Sequence, residues 1–202
     1  ALQVATDDRE TVRVTFPEGK TVIQYAQIME QAGLCSAQEF LDVANNGDFS
    51  QFGFWAKREE KPNQFMKAEG YLFPDTYEVY KGNAAVVDTI NKMLNNFGNK
   101  YDADIKSGAE NLGRSMHDIV TIASLIEREA QRDDERARIA GVIYNRLNNS
   151  SEFPYLQVDA SVLYGLGRTG GKLSDEDLKS DSEYNLYNHK GLPPGPICNP
   201  GY

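Results

Sequence analysis

The chain has 202 residues, 40% of them apolar and 25% charged, enough for one large domain or two small ones with a real core. Its formal net charge of −9 argues against nucleic acid or anionic lipid as the main partner and leaves a neutral sugar polymer open. Residues Thr11 to Phe16 alternate as a half-buried strand. Pro17-Glu-Gly19 is a turn, and Thr21 opens a helix with Val22, Tyr25, Ala26 and Met29 on its apolar side, ending near Gly33. Ser36-Ala-Gln-Glu39 has the form of a capping box for a second helix that Asn45-Asn-Gly47 stops. Residues Lys57 to Lys61 read as an exposed linker, and Glu69 to Tyr80 as loop followed by strand. Helices are expected over 84–97, with Val87, Ile90, Met93, Leu94 and Phe97 inside, and from Ser115 to about Gln131. Another is expected over 135–148, with Ile139, Val142, Ile143 and Leu147 inside. Beyond Ser150 the helical period fades into ordered loop, with short helices at 159–164 and 175–178.

The pattern therefore predicts an α+β protein. A small strand–helix–helix module over 1–65 would pack on a mainly helical, loop-rich domain over 66–202. Cys35 and Cys198 are far apart and lack metal-ligand spacing, and His117 and His189 form no zinc motif. Neither a glycine-rich nucleotide loop nor a Gly-x-Ser-x-Gly elbow is present, so no metal and no cofactor is expected. No apolar run is long enough to cross a membrane. The abrupt start at Ala1-Leu2-Gln3 and end at Gly201-Tyr202 read as those of an excised fragment.

The segment with most chemical content is Thr121-Ile-Ala-Ser-Leu-Ile-Glu-Arg-Glu-Ala130. A carboxyl at the margin of an apolar surface can be raised by desolvation and serve as a general acid. With Ile119 at zero and about 100° per residue, Glu127 falls at about +80° and Glu129 at about −80°. Arg128 points away, toward solvent. The two glutamates flank the buried stripe on opposite sides, so they are not a pair acting at one point, and either could be the acid.

Ordered motifs accompany this segment. They are Glu69-Gly-Tyr-Leu-Phe-Pro-Asp-Thr-Tyr77, Ala123 to Ala130, Val142-Ile-Tyr-Asn-Arg-Leu147, Leu156-Gln-Val-Asp159, Val162-Leu-Tyr-Gly165, Tyr184-Asn-Leu-Tyr187, Gly191-Leu-Pro-Pro-Gly-Pro-Ile197 and Asn199-Pro-Gly201. In this order they resemble the endolytic murein transglycosylase (MltG or YceG-like) family, over most of residues 69–201. The N-terminal module is a vaguer match to the family's LysM-like parts. The resemblance implies a bacterial lyase at the extracytoplasmic face of the cytoplasmic membrane, anchored by an N-terminal helix that this chain lacks. The stretch that follows Asn-Pro-Gly in the family is also missing.

The implied substrate is the peptidoglycan glycan strand, cut between N-acetylmuramic acid and N-acetylglucosamine to leave a 1,6-anhydro end, with cell-wall synthases as further partners. The family's essential glutamate maps onto Glu129, acting first as acid and then as base. Glu127 is then expected to be structural and paired with an arginine. The substrate-binding candidates are Glu69, Asn145, Gln157, Asp159, Tyr184, Asn185, Tyr187, Pro193 and Pro194. Five have a structural alternative: a backbone bond at the Gly70 turn for Glu69, an interhelix tie for Asn145, and buried loop anchoring for Tyr184, Asn185 and Tyr187. Gln157 and Asp159 alternate in a stretch read as extended and would share a face. Pro193, Pro194 and Pro196 would stiffen a cleft wall, with Pro193 and Pro194 helping to make the acid's site apolar. Two other functions compete: a non-catalytic glycan-binding module, and a muramidase that hydrolyses with water.

Overall fold

The computed structural model describes residues 10–101 and 103–201. In chain order the elements are β1 (Thr11–Phe16), α1 (Val22–Gln31), α2 (Ala37–Asn46), α3 (Gly53–Lys57), β2 (Asp75–Tyr80), α4 (Ala85–Lys100), α5 (Ala103–Asn111), α6 (Met116–Glu129), α7 (Arg136–Asn148) and α8 (Asp159–Gly165). Single 3-10 turns lie at Asp133–Glu135 and Asp177–Lys179. The class is α+β: a two-stranded sheet among helices.

β1 and β2 pair antiparallel, from Thr11 opposite Tyr80 to Phe16 opposite Asp75. The period-two alternation sends Val14, Phe16, Tyr77 and Val79 inward. α1 packs against β1, and α4, which follows β2, packs against β2. Thr21 and Gln24 form a reciprocal capping box at the start of α1, which buries Val22, Tyr25, Ala26 and Met29. At α2 only half of the expected box forms. Ser36 accepts from Glu39 N–H, but the Glu39 side chain does not return to the Ser36 N–H; separately, Glu30 Oε1 takes the Ala37 N–H. The run expected to be a linker begins as the end of α3, where Arg58 lies 3.8 Å over the Trp55 ring.

Two cores result. The first draws Phe16, Tyr25, Met29, Phe40, Tyr71, Leu72, Ile90, Met93, Leu94 and Val120 into one cluster. Each such side chain contributes about 1.5–3 kcal/mol of burial. It takes residues from both sides of the expected division at 65, because β2 closes the sheet that β1 starts. The second core gathers Ile122, Leu125, Ile143, Leu156, Val158, Tyr164, Tyr184, Leu186 and Ile197. α6 joins the two, giving Val120 to one and Ile122 and Leu125 to the other. Two residues expected inside are outside: Val87 is 46% and Val142 51% exposed. Cys35 and Cys198 are both free thiols.

The C-terminal loop is tied inward at Asn199. Its Oδ1 accepts from Gly70 N–H and Leu72 N–H, and its Nδ2 donates to Lys20 O and Glu69 Oε1. Gly70 must be glycine here: φ is +87°, and a Cβ would meet Pro196 Cγ at 2.5 Å.

Candidate functional site

Glu129 is the last residue of α6. The helix stops where Ala130 turns extended, its N–H still bonded to Ile126 O. The chain crosses the short 3-10 turn and returns as α7, so the end of α6 faces the first turns of α7. Between them opens a cleft of about 260 Å³, lined by Glu129, Arg138, Ile139, Val142, Ile143, Arg146, Leu156, Gln157 and Val158. This explains why α7 buries so little. Val142, expected in the core, is instead exposed apolar wall.

The Glu129 carboxyl is solvent-accessible and, among the described residues, has no hydrogen-bond partner. Loss of water around it raises its pKa above the ordinary carboxylic value. The like charge of Asp159 adds to this, and Arg128 opposes it. Asp159 is not extended chain but the first residue of α8. It accepts a 2.6 Å bond from the Tyr187 hydroxyl. That bond, then desolvation, pushes the Tyr187 phenol up to about 12. Gln157 stands at φ 57°, in the left-handed region, so it does not share a strand face with Asp159 as expected. Both nevertheless come to Glu129, one by lining its cleft and the other through its charge.

Glu127 diverges from Glu129, as the helical wheel requires. It receives Arg136 Nη1 at 2.7 Å and Gly201 N–H at 3.3 Å. Arg128 does not point to solvent: it donates to Gly19 O and Thr169 O, tying α6 to two loops.

Several candidates prove to belong elsewhere. Glu69 has no exposed surface. Its carboxylate takes the Val22 N–H at the start of α1, the Tyr164 hydroxyl and Asn199 Nδ2. Burial drives its pKa up to about 8, against the pull of the Val22 and Tyr164 donors. Glu69 is therefore an internal tie and cannot meet a ligand. Tyr184 is buried in the second core, against Phe65 and Tyr164. Asn185 is fully buried and anchors its loop through Leu178 O and Ser180 O, while its Oδ1 accepts from Tyr187 N–H. Of that motif only Tyr187 reaches the Glu129 region.

Pro193 and Pro194 line a different cleft, of about 340 Å³, with Lys61, His117 and His189. They do not wall the acid's site; the aliphatic residues of α7 and Leu156 and Val158 do that. His117 Nε2 bonds Pro194 O, which can only accept, so the neutral ring's Nδ1 accepts from the Tyr71 hydroxyl. Burial lowers the His117 pKa and favours that neutral form. Asn145 is exposed on α7 and does not line the acid's cleft.

Two arginines were missed. Arg138 lines the cleft, and Arg146 donates through Nη1 to Tyr155 O, Leu156 O and Gln157 Oε1. Arg146 lies inside the Val142–Leu147 motif, so the sequence did mark its neighbourhood. Arg138 carried no signal.

A single accessible carboxyl, raised by its surroundings and set in an aliphatic cleft on a helical α+β frame, defines a protein equipped for proton transfer to a bound ligand. The YceG-like family model matches residues 1–202, and the chain belongs to the YceG-like family. An endolytic murein transglycosylase of Bacillus subtilis is 41% identical over 164 residues, 81% of this chain and 41% of the relative. One from Streptococcus pneumoniae (strain D39) is 34% identical over 207 residues, 93% of this chain and 36% of the relative. The chain thus spans about two fifths of the length of these curated relatives. A crystal structure of a YceG-like protein from Listeria monocytogenes superposes with a TM-score of 0.81 at 31% identity, covering 95% of this chain and 64% of that one.

Proposed function

We propose that the chain carries the catalytic part of an endolytic peptidoglycan lytic transglycosylase. The observation that carries this reading is Glu129: accessible, raised, without a hydrogen-bond partner among the described residues, and placed in an aliphatic cleft. The names of the relatives, endolytic murein transglycosylases, supply the substrate class. Glu129 protonates the oxygen of the bond between N-acetylmuramic acid and N-acetylglucosamine, and that bond breaks. The carboxylate then takes the proton of the muramoyl 6-hydroxyl as O6 bonds to C1, closing the 1,6-anhydro ring. The acid is restored and no water is consumed. Gln157 in this cleft, with Asp159 and Tyr187 beside it, binds the substrate, and Val142 offers an apolar surface for a sugar face.

The segment from β1 to β2, with three helices between antiparallel strands, acts as a LysM-like glycan-holding unit beside the catalytic part. The whole protein works at the extracytoplasmic face of the cytoplasmic membrane, held by an anchor and acting beside cell-wall synthases. Among the described residues, no helix is long and apolar enough to cross a membrane.

A second reading, a hydrolytic muramidase, is favoured by Asp159, whose charge reaches Glu129 and could activate water. Against it, one Asp159 oxygen is already occupied by Tyr187. Incubation with purified peptidoglycan followed by mass spectrometry separates the two. The lytic reading expects anhydromuropeptides, lighter by one water than the reducing ends of hydrolysis. Reducing ends alone, or anhydro products from Glu129→Gln, would overturn it.

A further inference from the structure

Among the described residues only two non-glycine residues hold a positive φ: Asn63 at 68° and Gln157 at 57°. Asparagine adopts that conformation readily; glutamine does so at a cost, which the surroundings must hold in place. Gln157 lines the Glu129 cleft. Its N–H donates to Leu186 O at 3.0 Å. From α7, Arg146 Nη1 grips the carbonyls of Tyr155 and Leu156 and then Gln157 Oε1 at 3.1 Å. A guanidinium can only donate, so the atom facing it must be the amide oxygen. The orientation of the Gln157 amide is therefore settled by chemistry. Its Nε2, with two N–H groups, is directed away from Arg146 and has no hydrogen-bond partner among the described residues. A strained backbone and a clamp from the next helix together hold a pure donor beside the acid.

We propose that Gln157 Nε2 reads the acetamido carbonyl of a bound amino sugar, and that Arg146 is the positioning residue that holds it there. This rests on the reading of the Glu129 cleft as a glycan site and names the sugar group it recognises. A donor-only group selects acceptors. The acetamido carbonyl is the strongest neutral acceptor on such a polymer, whereas a hydroxyl both donates and accepts and discriminates less.

The test is calorimetric binding in a Glu129→Gln background, where the ligand is not consumed. The ligands are N-acetylated glycan strands and the same strands chemically de-N-acetylated. Gln157→Gly removes the side chain while glycine tolerates the positive φ, so its fold is safe. It should raise Kd for the acetylated strands about 10-fold, leave Kd for the de-acetylated strands unchanged, and keep or raise Tm. Gln157→Glu keeps the shape and the Arg146 contact but replaces the donor by an acceptor, and should lose the same discrimination. Arg146→Ala should lose it too and add nothing on top of Gln157→Gly. Equal weakening of both ligands, no weakening of either, or additive losses would overturn the proposal; should Arg146→Ala not fold, the two Gln157 variants decide. Binding does not require cleavage. Absence of anhydro products from the wild-type protein would remove the lyase reading and leave this one standing.

Discussion

Glu69 and Glu129 are both carboxyl groups lifted above their ordinary range, and in both the first cause is loss of water. Glu69 sits among three donors with no exposed surface, at the junction of α1, α8 and the Asn199 loop. Glu129 stands at the rim of a cleft, its hydrogen-bonding capacity unspent among the described residues. A raised pKa thus marks desolvation and nothing more. What separates an acid that can act from a carboxyl that holds a fold is access and an empty set of partners.

That contrast can be broken in several ways. The largest expected effect is on Glu129→Gln, which should lower anhydromuropeptide release by on the order of 10²–10⁴-fold. Its unfolding free energy should stay within about 0.5 kcal/mol of wild type. A comparable loss of stability would erase the distinction.

Glu69→Ala should do the reverse and destabilise by about 3 kcal/mol in urea unfolding, because Val22 N–H, Tyr164 and Asn199 lose their shared acceptor in a dry site. A change under about 0.5 kcal/mol would mean that the junction does not depend on the carboxyl.

The pH dependence of stability comes next. The Glu69 pKa is about 8 in the folded protein against an ordinary 4.5, so between those values the folded state holds a proton that the unfolded state has released. Its contribution is full below about pH 4.5 and is lost as pH rises toward about 8, by no more than about 5 kcal/mol in total. The measurement is the difference in unfolding free energy between wild type and Glu69→Gln across that range. A flat difference would show that the donors keep Glu69 ionised.

The smallest effect concerns the acid itself. Activity should fall as pH rises through the raised Glu129 pKa, since the reaction starts from the protonated form. Asp159→Asn removes the like charge and should move that alkaline limb to lower pH by less than about 1 unit. An unmoved or raised limb would show that the Asp159 charge does not act on Glu129.

Local periodicity carried most of the helices, because their apolar stripes and caps are encoded within a few residues. Thr21 and Ser115 both cap as their sequence suggests. The divergence of Glu127 and Glu129 follows from helix geometry alone. The pairing of β1 with β2 was not legible, since nothing in Thr11–Phe16 names a partner some sixty residues on. The sequence marked Glu129, which stands in the cleft between α6 and α7, but not which of the other candidates would come near it. Glu69, Tyr184 and Asn185 have the composition of ligand-holding groups, but a buried loop needs the same donors and rings to satisfy its own backbone. Gln157 looked like extended chain because its left-handed backbone is imposed by Arg146 and Leu186, not by its own residue type. The Pro193-Pro194 loop misled for a related reason: proline fixes local shape, not the surface against which a loop is laid.

Asn199 has a consequence for how the molecule is assembled. It bridges to Lys20 across 179 residues and to Gly70 across 129. These are among the longest loops the chain can close, and closing them is slow and entropically late. During synthesis the first core can gather while the Glu69 site waits, a carboxyl short of one donor, until Asn199 has been made. The stretch around Asn199 behaves as a latch, so acquisition of the native state should be gated by the docking of Asn199 and not by the condensation of the larger core. A pulse of proteolysis during refolding would see this as a late-protected Lys20 turn in an otherwise early-protected N-terminal half.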